Sequence, residues 1–215
     1  MINLVWDFGK VLFRWEPQKI CSGFFPDTQL ANLVCQQLLA HPDWLALDAG
    51  TISLKDFIKN GSKRVGLAEG VIEEFTTSHL PKEISLIPET FRYVKQFNDR
   101  QIPQYFLTNM ASHVFNYIES RYQISSFFIG GVVSARELCI KPDIKIYKIL
   151  TSRFELEPKK CLFIDDRPEN IDAAASHGIS GIQFIDFPDF EKKILPIMEG
   201  SPDKLPHLIK QESVG

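Results

Sequence analysis

Asp7, Thr108, Lys141 and the pair Asp165-Asp166 are the residues whose types and placement could do chemistry together. Each stands at or after the end of a short apolar run. Asn3 to Phe8 delivers Asp7, Gln104 to Thr108 closes on Thr108, Cys161 to Ile164 runs into Asp165-Asp166, and Lys141 follows the run Phe127 to Val133. Runs of this length bounded by turn residues read as buried strands, and an open parallel sheet binds ligands beyond the carboxyl ends of its strands. Four distant stretches are thereby expected at one rim. Carboxylates crowded there would repel, and a bound cation relieves the repulsion; an all-oxygen donor set favours magnesium over zinc. Thr108 and Lys141 could then hold the oxygens of a phosphoryl group, one by hydrogen bonding and one by charge, while Asp7 attacks phosphorus. Taken singly, a strand-end carboxylate can merely cap a helix and a loop lysine can merely be solvated. The agreement of all of them carries the functional reading.

The elements that must position these residues follow from periodicity. Leu30, Leu33, Val34 and Leu38 share one helical face opened by Asp27 or Thr28 and ending near His41-Pro42. Asp48-Ala49-Gly50 reads as a turn, and Ser53 with Asp56 as a capping box before a helix carrying Phe57 and Ile58. From about Gln18 to Tyr93 no second strand run occurs, so this stretch is expected to be a helical insertion. Beyond it strands and helices alternate. Phe91, Val94 and Phe97 mark a helix; so do Val114, Tyr117 and Ile118; so do Ile146, Ile149 and Leu150. Pro168 suits a first helical position, Gly178 a helix exit, and Gly181 to Ile185 a last strand. The expected fold is α/β, a doubly wound parallel sheet with a small inserted helical cap. Residues 1–14 and 89–190 would form the core, 15–88 the cap and 191–215 a tail. Pro188, Pro196, Pro202 and Pro206 limit the chain after Phe187 to short helices, and its last residues are expected to be disordered.

Composition narrows the partners. In 215 residues, 24 basic against 27 acidic side chains give a net charge of −3, without the basic stripe that nucleic acid or an anionic membrane would require. The four cysteines form no C-x-x-C pair, and the five histidines have no metal-ligand spacing. No basic head with a long apolar stretch opens the chain, and no apolar run approaches a membrane span. A cytoplasmic protein acting on a small molecule is expected, with its oligomeric state left open.

Four stretches, Val5-Trp-Asp-Phe-Gly-Lys-Val-Leu12, Phe106-Leu-Thr-Asn109, Lys141-Pro-Asp143 and Leu162-Phe-Ile-Asp-Asp-Arg-Pro-Glu-Asn170, occur in an order and at intervals that resemble the phosphatase branch of the haloacid dehalogenase-like superfamily. Leu47-Asp-Ala-Gly-Thr-Ile-Ser53 is similar to a cap segment of a subgroup that includes sugar-1-phosphate phosphatases. The resemblance implies that Asp7 is the nucleophile, and that Thr108, Asn109 and Lys141 steady the phosphoryl group of a small phosphorylated metabolite, a sugar phosphate among the candidates. It also implies magnesium held by Asp7, the Gly9 carbonyl and the Asp165-Asp166 pair, with Asp166 the first choice. One departure matters: many phosphatases and phosphomutases of the superfamily carry a second aspartate two residues after the nucleophile, as acid and base, and here that position is Gly9. Such help is worth roughly 10²–10⁴ in rate, so a mutase is not expected. Lys10 and Arg14 are nearby and could guide an anion, and Trp44 and Asp48 are the cap positions expected to meet substrate first. The competing readings are a 2-haloacid dehalogenase, in which the same aspartate attacks carbon without metal, and a non-catalytic ligand-binding or regulatory relative.

Overall fold

A computed structural model describes residues 2–199. Its sheet is parallel and five-stranded: β1 (Asn3–Trp6), β2 (Gln104–Thr108), β3 (Gly130–Val133), β4 (Cys161–Asp165) and β5 (Ser180–Gln183), in the order β3-β2-β1-β4-β5. β1 is therefore central, and Trp6 pairs with Phe106 on one side and Ile164 on the other. Side chains alternate between faces, as pleating requires. Leu4, Trp6, Phe106, Leu162 and Ile164 enter one apolar cluster, and Val5, Tyr105, Leu107 and Phe163 a second on the opposite face. This is the doubly wound α/β architecture expected.

Between β1 and β2 lie α1 (Pro17–Phe24), α2 (Thr28–Val34), α3 (Pro42–Asp48), α4 (Leu54–Val65), α5 (Glu69–Glu74), α6 (Leu80–Glu83) and α7 (Pro88–Asp99). Asp27 caps α2 by accepting from the Leu30 N–H at 2.7 Å, and Ser53 caps α4 by accepting from the Asp56 N–H at 3.0 Å. After β2 come α8 (Ser112–Tyr122), α9 (Ile144–Arg153), α10 (Pro168–Ser176) and α11 (Phe187–Glu199). α9 and α10 cover the second face through Ile146, Tyr147, Leu150 and Ala174.

The helix through Leu30 and Val34 does end just before His41-Pro42, and with His41 as N-cap Pro42 starts α3, which ends on Asp48. One expectation needs correction. The chain after Phe187 forms a helix of 13 residues rather than short pieces. Pro188 sits in its first turn, where a missing N–H costs nothing. Phe190 and Ile194 are fully buried, Phe190 lying 5.9 Å from the Trp6 ring, and that packing outweighs the roughly 3 kcal/mol of a proline near the other end. The expectation of disorder falls on the last residues, outside those described. No helix among the described residues is long and apolar enough to cross a membrane, and all four cysteines are free.

Candidate active site

β1 ends at Trp6, so Asp7 leaves the central strand at the carboxyl rim, with its N–H still donating to the Ile164 carbonyl at 2.9 Å. Its Oδ1 accepts from the Phe8 N–H at 2.7 Å and lies 2.8 Å from Lys141 Nζ. Lys141 is 2 % exposed, and its ammonium also meets Asp165 Oδ2 at 2.6 Å and the Leu107 carbonyl at 2.9 Å. One cation thus sits between two buried carboxylates. The trio carries a net negative charge, which favours proton uptake by Asp7. Burial, opposed by Lys141 and reinforced by Asp165, pushes the Asp7 carboxyl up to about 7. Burial alone would lower the Lys141 ammonium, but the charges of Asp165 and Asp7 hold it above its ordinary value.

Asp165 and Asp166 play different parts. Asp165 is fully buried, and its carboxylate is taken up by Lys141, by Asn170 Nδ2 and by the Arg167 N–H at 2.9 Å. Asp166 is half-buried and lines a cavity of about 360 Å³ together with Asp7, Gly9 and Lys141. Lys10 Nζ stands 3.7 Å from Asp166, too exposed to offset much charge. Burial and the charge of Asp165 raise the Asp166 carboxyl. Carboxylate oxygens of Asp7, Asp165 and Asp166 lie within 4.8 Å of one another, and Asn170, which also lines the cavity, has an Oδ1 without a hydrogen-bond partner. Three carboxylates against one buried ammonium, with an orphaned acceptor beside them, is a donor set suited to a hard divalent cation.

Of the other expected residues, Thr108 closes β2, 1 % exposed, and stands outside the cavity wall. Asn109 lines the cavity, but its carboxamide is engaged with Lys141: Oδ1 accepts from the Lys141 N–H at 2.8 Å and Nδ2 donates to the Lys141 carbonyl at 2.9 Å. That clamp fixes the loop that aims the ammonium. Arg14, Trp15, Trp44 and Asp48 also line the cavity, the two indoles stacked with centroids 5.5 Å apart.

Asp48 is buried beyond what the sequence indicates, and burial together with the charge of Asp7 pushes its carboxyl up to about 7 against a donated Ala111 N–H. The unfolded chain ionises this group near its ordinary 3.8, so the folded state binds an extra proton between the two values and loses stability as pH rises through that window. An Asp48→Asn variant is expected to be more stable than the parent at pH 8 by about 3 kcal/mol, a gain that shrinks toward pH 4. Denaturant melts at the two pH values check it, and a loss of stability at pH 8 would contradict it.

The sequence model of the haloacid dehalogenase-like hydrolases matches residues 30–178. Among curated proteins, the sesquiterpene phosphatase astK of Aspergillus oryzae is 23% identical over 185 residues, spanning 85% of this chain and 89% of its own. Among solved structures, a HAD family enzyme of Bacteroides thetaiotaomicron in complex with magnesium and inorganic phosphate superposes with a TM-score of 0.71 at 19% identity, covering 85% of this chain and 93% of that one. The L-2-haloacid dehalogenase of Xanthobacter autotrophicus, with chloropropionic acid covalently bound, gives 0.65 at 12% identity, covering 94% and 86%. Likeness at these identities speaks for the fold, and the matched model spans well over half of the residues. The chain belongs to the haloacid dehalogenase-like hydrolases.

Proposed function

We propose that this protein hydrolyses a phosphate monoester in two steps, with magnesium as cofactor and a covalent phosphoenzyme on Asp7. The observation that carries the reading is the Asp7–Lys141–Asp165 trio beside Asp166, with Asp7, Lys141 and Asp166 lining the cavity, an attacking oxygen set next to an ammonium and a further carboxylate. Asp7 attacks phosphorus and the alcohol leaves; water then cleaves the acyl phosphate. Lys141 spends all three of its protons on Asp7, Asp165 and Leu107. Asp7 attacks as the carboxylate, the form that the Lys141 ammonium favours against burial. Asp165, Asn109 and Asn170 position; Thr108 supports the rim from β2. Asp7, Asp166 and the Gly9 carbonyl would hold magnesium, with Asp165 backing them, and the ion when bound would offset charge on the phosphoryl oxygens.

The apolar part of the lining favours a class of alcohol. Phe13, Trp15, Leu39, Trp44, Leu45 and Met110 all line the cavity, beside the polar Arg14, Asp48 and Asn109. An apolar alcohol is therefore preferred over a sugar, and the relative named as a sesquiterpene phosphatase agrees. The dehalogenase reading leaves the acidic cluster at Asp166 without a purpose, and the non-catalytic reading leaves the Asp7–Lys141 contact without one.

The test is phosphate release from a panel of apolar, sugar, nucleotide and acyl phosphates. Release is expected with magnesium, falling roughly a hundredfold or more after chelation and returning on readdition. Halide release from 2-haloacids without metal, and no phosphate release, would overturn the reading.

A further inference from the structure

We propose that Asp48, reaching the cavity from α3, is the general acid and base of this reaction, taking the part that Gly9 leaves vacant. This rests on the phosphatase reading above. Gly9 and Asp48 line the same cavity as Asp7, and a Cβ built at Gly9 would meet no atom within 4 Å, so the position two residues after the nucleophile is open and carries no acid.

The fold fixes Asp48 from the other side. Its backbone carbonyl accepts from Ser134 Oγ, which in turn accepts from the Met110 N–H at 2.9 Å, tying the end of α3 to the loops after β3 and β2. Two residues on, Gly50 has φ +71° and lies so close to the Ala135 carbonyl that any side chain would collide. The carboxyl takes one N–H, from Ala111, and no ion pair reaches it among the described residues. A buried acid held against the core without a cation destabilises the fold, and such a group is retained where its proton is used. Its raised value, about 7, keeps it protonated enough to donate and basic enough to accept near neutrality.

The protons balance. As Asp7 Oδ bonds to phosphorus and the ester P–O bond breaks, the Asp48 proton passes to the departing oxygen and the alcohol leaves neutral. In the second step water adds to phosphorus, its proton returns to the Asp48 carboxylate, and the bond to Asp7 breaks to release orthophosphate.

Leaving-group dependence tests this, on Asp48→Asn, whose carboxamide can still accept from Ala111. Benzyl phosphate needs its oxygen protonated; p-nitrophenyl phosphate does not. For the variant kcat/KM is expected to fall roughly 10²–10⁴-fold on the benzyl ester and less than about tenfold on the nitrophenyl ester. The nitrophenyl reaction should also show a burst equal to the enzyme concentration, because the second step has lost its base. Equal losses on both esters, or none on the benzyl ester, would overturn the assignment. Failure of the phosphatase reading looks different: the parent enzyme would release no phosphate from either ester.

Discussion

Asp7→Asn is expected to abolish turnover, lowering phosphate release by roughly 10⁴-fold or more while leaving the fold intact. A carboxamide in this place still accepts from the Phe8 N–H but is too weak a nucleophile to open the reaction. The fold survives because the substitution removes one of two buried carboxylates that share a single ammonium, and it is Asp165 that keeps Lys141 paired, at 2.6 Å. A steady-state assay beside a thermal melt checks both halves: activity should vanish with a melting temperature at or above that of the parent. Residual turnover within tenfold of the parent would remove Asp7 from the chemistry.

Lys141→Met is expected to act on stability as well as rate. The ammonium is buried, and its removal leaves Asp7 and Asp165 facing each other in the interior without a cation. Stranding one side of a buried ion pair costs about 3–5 kcal/mol. The cost should be largest near pH 8, where Asp7 is ionised, and should shrink as the pH falls and Asp7 takes up a proton. Urea melts at pH 8 and pH 5 would show it. A second change, Asp165→Asn in the same chain, should recover part of the loss at pH 8 by removing one stranded charge. An unchanged urea midpoint in Lys141→Met would mean that the trio contributes nothing to the folded state.

The rim was legible because it depends on local signals and one topological rule. Asp7, Thr108 and Asp165-Asp166 each end an apolar strand run, and a parallel sheet leaves them at one edge, to which the loop after β3 brings Lys141. What the sequence concealed depends on contacts between distant residues. That Asn109 also clamps the backbone of Lys141, 32 residues away, is not legible in the sequence. Asp165 and Asp166 differ only because one side chain turns inward to Lys141 and Asn170 and the other toward the cavity. Asp48 stands in an ordinary Asp-Ala-Gly turn, and only docking onto Ser134, 86 residues on, buries it opposite Asp7. The error over α11 has the same origin: proline content is local, whereas Phe190 packing on Trp6 is not.

The apolar wall adds a physical reason for the inserted helices. Trp44 on α3 stacks on Trp15 just ahead of α1, so the insertion both roofs the cavity and brings Asp48 to it.

The covalent step can be read directly. Acid quench during turnover with magnesium and a phosphate monoester, followed by borohydride reduction and peptide mass analysis, converts an aspartyl phosphate into homoserine. Homoserine at position 7, absent without magnesium or substrate, is the expected result; turnover with residue 7 unmodified, or modification at another aspartate, would contradict it.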